Sequence, residues 1–135
     1  MTPEAGYFLD KARKLLTDAD IMLKNDLNDA AGRTAYLAGF HAAQAFISER
    51  TGRSVKTHKG VHSELHRLTR DDPDFGTDLR AFLSESYNLK AAADYETGPA
   101  AEISRERASA ALQTGRRFVA WFETALGSPS SEAAR

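Results

Sequence analysis

The feature that most constrains the fold is a stretch rich in alanine and glycine between Gly32 and Phe46. When this stretch is wound as an α-helix, residues three and four apart share a face. One face carries small side chains closed by a phenylalanine, namely Ala35, Ala38, Gly39, Ala42 and Phe46. The other face is aromatic and partly polar, with Arg33, Tyr36, Leu37, Phe40 and Gln44, and with His41 at its edge.

A helix that is apolar nearly all round is either central in its domain or also in contact with a second molecule. Gly32 and Gly39 each cost the helix about 1 kcal/mol relative to alanine, and close packing of a neighbouring helix is the compensation we expect. We therefore predict that this helix is central and that its aromatic face forms the contact of a homodimer or binds a ligand.

The residues before the central helix predict an antiparallel helical hairpin. Thr2–Glu4 has a hydroxyl cap, a proline at the first helical position and an acid in the first turn, and an amphipathic repeat of about six turns follows. Asn28–Asp29 supplies cap residues for the central helix, which we predict to run to about Glu49 and to end before Gly52. The short loop between the two helices favours antiparallel packing.

The residues after the central helix predict three more helices. A short helix is expected over Val61–Leu68, with its apolar residues facing inward. A longer helix is expected over Asp78–Ala93, and Gly98–Pro99 ends that segment. Ser104 is expected to cap the last helix.

These patterns predict an all-α fold, an up-down four-helix bundle with an extra short helix. No segment alternates between apolar and polar residues as a strand would. The chain of 135 residues is long enough for one domain with its own core. We expect residues 1–127 to form the bundle and the small, polar residues 128–135 to be a disordered tail.

Composition excludes several classes of protein. The chain has no cysteine, which removes disulfide frameworks and thiolate chemistry. No apolar run approaches a membrane span, and no basic leader precedes an apolar segment, so we expect a cytoplasmic protein without a membrane partner. The net charge is −1, so any nucleic-acid contact must depend on a local basic patch.

Three histidines lie four residues apart, at His58, His62 and His66. On one helix they would share a face, and such spacing can chelate zinc. Because a loop composition surrounds Gly60, we predict that His58 lies outside the helix. Solvated or capping histidines remain the alternative, and we assign no metal and no cofactor.

A second candidate cluster combines opposite charges with tyrosines. Arg33 on the central helix needs a carboxylate partner if its face is buried, and Asp94 is the partner we predict. Lys90 and Asp94 are also spaced for an ion pair on one helix, beside Tyr87 and Tyr95. Structural pairing and the binding of a phosphate or substrate both remain open for this cluster.

The dense basic run of the chain is the predicted loop with Arg53, Lys56, His58 and Lys59. Such loops are usually solvated, but they also contact nucleic-acid phosphates. The chain shows no nucleophile–histidine–acid order, no phosphate-binding glycine loop and no pair of catalytic acids.

Three sequence blocks resemble the HEPN domain, in particular its small stand-alone bacterial and archaeal branch. They read GRTAYLAGFHAAQA over Gly32–Ala45, KTHKGV over Lys56–Val61 and YNLKAAADY over Tyr87–Tyr95. Their order and spacing agree with that branch's Arg-x-Tyr-Tyr-Ala-x-Phe-His-Ala-Ala-like helix, Lys-Thr-His-x-Gly-Val loop and Leu-Arg-x-x-Ala-Asp-Tyr segment. The chain departs at Thr34–Ala35, where a tyrosine is common, and at Lys90, where an arginine is common.

The resemblance implies a bundle of four to five helices, often a homodimer and often encoded beside a minimal nucleotidyltransferase as a toxin–antitoxin pair. As in many members of that family, it also implies a metal-independent ribonuclease, in which an Arg-x4–6-His motif from each protomer meets across the dimer and cleavage depends on the ribose 2′-hydroxyl. Histidine transfers protons near neutral pH, and arginine stabilises the pentavalent phosphate. Here the corresponding late segment has Lys90 and Asp94 without a histidine, while Arg53 and His58 have the motif's spacing within the predicted loop.

We therefore expect an RNA- or nucleotide-associated HEPN module of a toxin–antitoxin or defence system, with a second copy and a nucleotidyltransferase as partners. The catalytic candidates are Arg33, His58, Lys90 and Asp94. The binding candidates are these four together with Tyr36, His41, Lys56, Tyr87 and Tyr95. The alternative is a catalytically inert interaction protein, in which the charges of Arg33, Lys90 and Asp94 lock the bundle and fix its dimer register.

Overall fold

The computed structural model describes residues 1–127, which form five α-helices and one short 3₁₀ helix. The α-helices are α1 (Pro3–Lys24), α2 (Asn28–Thr51), α3 (His58–Thr69), α4 (Thr77–Tyr95) and α5 (Arg105–Ala125), with the 3₁₀ helix at Gly98–Ala101. The predicted up-down four-helix bundle with an additional short helix is confirmed, and no strand occurs within residues 1–127. None of the helices in this range has the length and apolarity that a membrane crossing requires. The predicted tail, residues 128–135, lies outside the described residues.

Helix α2 is the central helix, as its composition predicts, and it packs against each of the other four α-helices. Ala35, Ala38 and Ala42 on its small-residue face have no exposed surface. Small side chains allow neighbouring backbones to approach closely, so this face is covered by helices of the same chain.

The closest packing in the bundle is around Phe82 of α4. Its ring lies beside Gly39 of α2 and Gly115 of α5. A Cβ atom on Gly39 would lie closer than 3.0 Å to the ring, and a Cβ atom on Gly115 would lie 3.3 Å from it. The two glycines therefore make room for one aromatic ring, which is the compensation that their cost in helix propensity requires.

Three helix ends form as the sequence predicts. Thr2 caps α1, because its hydroxyl oxygen accepts a hydrogen bond from the backbone N–H of Ala5 at 3.2 Å. Ser104 caps α5 in the same way through Arg107, at 3.1 Å. Gly52 ends α2 in the left-handed conformation, with a φ of 72° that glycine adopts without strain.

The predicted cap at the start of α2 is wrong. Leu27 is the N-cap residue, and no side chain accepts a hydrogen bond there. The carboxylate of Asp29 instead accepts a hydrogen bond from the backbone N–H of Ile103 at 3.0 Å. This contact ties the start of α2 to the segment just before α5, so a long-range contact replaces the local cap.

The prediction that His58 lies outside a helix is also wrong, because α3 begins at His58. Thr57 caps this helix and accepts a hydrogen bond from the backbone N–H of Gly60 at 3.0 Å. A Cβ atom on Gly60 would lie 2.6 Å from the Thr57 hydroxyl and 2.8 Å from Val55. Because Gly60 has no side chain, the chain can form the tight first turn of α3, which the loop-like composition did not indicate.

The aromatic face of α2 does not form the predicted dimer contact. Tyr36 has no exposed surface and Phe40 is 5% exposed, because α3 and α4 of the same chain cover them. The face is apolar because it is part of the internal core, so a dimer contact through these two rings is excluded. A homodimer through another surface stays a prediction.

Candidate functional site

The centre of the candidate site is a buried tyrosine that joins two histidines. The hydroxyl of Tyr36, on α2, lies 2.8 Å from Nδ1 of His58 and 2.9 Å from Nε2 of His62, both on α3. His58 and His62 are one helical turn apart, so their rings reach the same point on α2. The sequence predicts Tyr36 and His58 as site residues and names His62 only as a possible metal ligand, and it does not predict that the three contact each other.

The opposite edges of the two imidazole rings face outward. Nε2 of His58 and Nδ1 of His62 form no hydrogen bond with any residue of the range 1–127. Neither atom is among the buried polar atoms without a partner in this range. Both nitrogens therefore reach solvent and are free to bind a ligand.

Aromatic contacts fix the orientation of the pair. The ring centre of His58 lies 4.6 Å from that of Phe40 and 5.4 Å from that of Tyr87. The ring centre of His62 lies 6.0 Å from that of Tyr87, edge to face. Rings in contact on several sides have few alternative rotamers, so the outward nitrogens are held in place.

Burial keeps this group of residues uncharged. It lowers the pKa of His58, with further lowering by the positive charge of Lys90, and it lowers the pKa of His62, with a smaller contribution from His58. Burial also raises the pKa of the Tyr36 phenol, with a further contribution from Tyr87. At neutral pH both imidazoles are therefore neutral and the phenol keeps its proton.

The loop before α3 is held by a buried glutamine that the sequence does not single out as a functional residue. Gln44 is 5% exposed and donates a hydrogen bond from Nε2 to the backbone oxygen of Val55 at 2.8 Å. Its Oε1 accepts a hydrogen bond from Nδ1 of His41 at 2.7 Å. His41, a predicted binding residue, therefore supports the loop instead of lining the site. The signal that could have identified Gln44 from the sequence is that it is a polar residue within the otherwise apolar α2.

A charged cluster lies at the end of α4. The carboxylate of Asp94 binds Arg33 through Oδ1 and Lys90 through Oδ2, both at 2.7 Å, so the two predicted pairings are confirmed as contacts. The hydrogen bond from Lys90 lowers the pKa of Asp94, with the hydrogen bond from Arg33 contributing as well, and the same contact raises the pKa of Lys90. The side chain of Arg33 is 42% exposed, and its terminal nitrogens have no partner within residues 1–127.

A surface groove runs beside the histidine pair and is here named the histidine groove. It has a volume of about 590 Å³ and is lined by His58, Lys59, His62, Ser63, His66 and Tyr87. Nζ of Lys90 lies 6.0 Å from the centre of the Tyr87 ring and 5.3 Å from that of Tyr95, so the charged cluster adjoins one wall of the groove. Lys56 is exposed in the preceding loop and does not line the groove.

Within residues 1–127, the three histidines are not arranged as a metal site. His58 and His62 direct one ring nitrogen each toward Tyr36, and the exposed His66 lies farther along the groove. Within residues 1–127, no group of three histidine, cysteine, aspartate or glutamate side chains is arranged to hold a metal ion.

The fold agrees with comparisons to known proteins. The sequence profile of the HEPN domain matches residues 5–125, and the chain belongs to the HEPN domain family. A curated relative, a UPF0332 protein of Archaeoglobus fulgidus, is 33% identical over 109 residues, which is 81% of this chain and 84% of the relative.

Proposed function

We propose that this HEPN protein binds single-stranded RNA in the histidine groove and cleaves the bound strand without a metal ion. The observation that carries the proposal is the histidine pair, because two fixed, neutral imidazoles direct free ring nitrogens toward a groove with cations beside it. Neutral imidazole can accept a proton and imidazole N–H can donate one, which are the two transfers that RNA transesterification needs.

The groove has the two features that bind single strands. Tyr87 and the histidines offer aromatic rings, and a base stacked on such a ring contributes about 1–3 kcal/mol. Lys59 in the groove wall and Arg33 in the charged cluster offer positive charge to the phosphates. A local patch of this kind is required because the net charge of the chain is −1.

Lys90 takes the position at which the family branch commonly has arginine. Its ammonium group binds phosphate as a point charge, without the two parallel hydrogen bonds of a guanidinium. It lies next to Tyr87 and is held by Asp94, so it is fixed beside the histidine pair. We assign it to the stabilisation of charge on the phosphate, a role that Arg33 can share through its free terminal nitrogens.

RNA binding is tested by fluorescence anisotropy with a short labelled single strand of mixed sequence in EDTA. Lys59→Ala should weaken binding and lower the slope of log affinity against log salt by about 0.7, the value for one phosphate contact in a single strand. Lys14→Ala is the matched control, because Lys14 is exposed on α1, which does not line the groove. Equal losses in both variants would contradict binding in the groove.

Cleavage is tested on the same RNA in EDTA, beside an otherwise identical strand with one 2′-deoxy position. We expect cleavage of the RNA and protection of the bond that follows the deoxy position. His58→Ala should lower the rate by about 100-fold, the low end of the range for general acid–base catalysis, and Arg33→Ala should lower it less. Degradation that persists unchanged in both variants would identify a contaminant, and a total lack of cleavage would refute the nuclease.

We also propose that the protein acts as a homodimer in a toxin–antitoxin or defence system with a nucleotidyltransferase partner. Membership of the HEPN family supports this setting. A small nucleotidyltransferase encoded in the adjacent reading frame, and its co-purification with this chain, would support the partner. Sedimentation of the pure chain measures its oligomeric state, and a monomer at all concentrations would refute the dimer.

A catalytically inert interaction module is the second candidate. The charged cluster favours it, because both oxygens of Asp94 already bind the two cations that would otherwise meet phosphate. In this case Arg33, Lys90 and Asp94 stabilise the bundle alone. Neither RNA binding nor cleavage would then be found, and substitutions in the cluster would change only the free energy of unfolding.

A further inference from the structure

The contact between Tyr36 and the two histidines restricts where protons can lie. A phenol has one O–H to donate, so it can donate to only one of the two nitrogens that face it. Because the other contact is also a hydrogen bond, the second imidazole must donate its N–H to the phenol oxygen. Tyr36 has no exposed surface, so water does not replace either partner.

This restriction couples the outward nitrogens of the pair. If Tyr36 donates to Nδ1 of His58, then His58 carries its proton outward on Nε2, and His62 donates inward from Nε2 and leaves Nδ1 bare. If Tyr36 instead donates to Nε2 of His62, then His62 carries its proton outward on Nδ1, and His58 donates inward from Nδ1 and leaves Nε2 bare. In either state the groove meets one N–H donor and one bare acceptor, and both histidines have the same tautomer.

We propose that His58, Tyr36 and His62 form a proton relay in which the two histidines serve as base and acid together, and each cleavage leaves the relay in its other tautomeric state. The proposal rests on the ribonuclease proposed above. It extends that function by naming which atoms move protons and by making the buried phenol a participant in the reaction.

The relay balances the protons of RNA transesterification. The bare Nδ1 of His62 takes the proton of the 2′-hydroxyl as the 2′ oxygen bonds to phosphorus. The Nε2 proton of His62 passes to Tyr36, the Tyr36 proton passes to Nδ1 of His58, and the Nε2 proton of His58 passes to the departing 5′ oxygen. The products are a 2′,3′-cyclic phosphate and a 5′-hydroxyl, and the relay is left in its other state without a net charge.

A relay of neutral groups has a distinct dependence on pH. Two independent histidines need one neutral and one protonated ring, which gives a bell-shaped profile. The relay needs both rings neutral, so the rate rises through the loss of a proton from the pair and then stays level. The titratable groups around the pair are Tyr36 and His41 on α2, Lys59 and His66 on α3, and Tyr87 and Lys90 on α4.

The first test measures tautomers directly, by ¹⁵N NMR of the histidine rings in the free wild-type protein. We expect His58 and His62 to have equal Nε2–H populations at neutral pH. Unequal populations, or a charged ring at neutral pH, would overturn the relay whether or not the protein cleaves RNA. Equal populations in a protein that binds but never cleaves RNA would instead refute the nuclease and, with it, the catalytic role of the relay.

The second test measures cleavage against pH, with the protein-free rate subtracted. We expect the wild-type rate to change by less than about twofold between about pH 7 and about pH 9, whereas an independent acid would lose about tenfold per pH unit above its pKa.

Tyr36→Phe should lower the rate by at least about tenfold and leave RNA affinity within about twofold. Tyr7→Phe, on an exposed tyrosine of α1, is the matched control. A bell-shaped wild-type profile, or full activity in Tyr36→Phe, would overturn the relay. If Tyr36→Phe does not fold, the wild-type profile and the tautomers decide.

Discussion

Replacing Gly39 with alanine is the sharpest test of how the bundle is packed. The added methyl group would lie closer than 3.0 Å to the ring of Phe82, whereas carbon atoms in contact normally lie about 3.5–4.0 Å apart. The ring is 3% exposed and is also in contact with the Gly115 position, so it has little room to move. Overpacking of this kind costs about 1–3 kcal/mol, and the better helix propensity of alanine returns about 1 kcal/mol.

We therefore expect Gly39→Ala to lower the free energy of unfolding by up to about 2 kcal/mol, which corresponds to a fall in Tm of up to about 7 °C for a chain of this length. Gly6→Ala is the matched control, because no atom lies within 4 Å of a methyl group added at this helical position. The control should be more stable than wild type by about 0.5–1 kcal/mol. Urea denaturation followed by circular dichroism measures both variants. A Gly39→Ala protein as stable as the control would refute the close approach of α2, α4 and α5.

Three further predictions concern the site and its support. Gln44→Ala should lower the free energy of unfolding by about 1–3 kcal/mol, because the buried contact to Val55 is lost, whereas Gln113→Ala on the exposed face of α5 should have little effect in the same urea titration. Asp94→Asn should strengthen RNA binding in the anisotropy assay, because it frees two cations, and an affinity no higher than that of the exposed control Asp71→Asn would contradict this. Burial holds the pKa values of His41, His58 and His62 below 6.5, so their contribution to stability is present above about pH 6.5 and is lost as the pH falls. The Tm should therefore be level above that pH and fall below it. A Tm that rises on acidification would contradict the assignment.

The sequence was sufficient to predict the number and order of the α-helices because their periodicity is a local signal. Small residues at helical spacing identified α2 as the central helix, and Thr2, Gly52 and Ser104 marked ends that the structure confirms. The pairing of Arg33 with Asp94 was predictable from chemistry, since a cation on a largely buried helix needs a carboxylate partner.

The covering of the aromatic face could not be predicted in the same way. Periodicity shows that a face is apolar, but it does not show whether a helix of the same chain or a second molecule covers it. The cover depends on the tight turn at Gly60 and on the contact of Gln44 with Val55, which place α3 over Tyr36. Helical periodicity reports neither the turn nor the side-chain contact, and this led to the wrong dimer contact.

The sequence predicted the residues of the histidine pair only in part, and it did not predict their contact with Tyr36. The spacing of His58, His62 and His66 raised the chelation of a metal ion, and solvated or capping histidines were the alternative. The partner is the phenol of Tyr36, which lies 22 residues before His58 and 26 before His62. Only the packing of α3 against α2 brings these groups together.

The central claim is that RNA binds in the histidine groove, and an NMR titration of the ¹⁵N-labelled protein with short single-stranded RNA in EDTA tests it most directly. We predict that the largest shifts occur at the ring nitrogens of His58 and His62 and at the backbone amides of Lys59 and Tyr87, with little change along α1. Shifts confined to other surfaces, or no shifts at concentrations that saturate binding in the anisotropy assay, would contradict the claim.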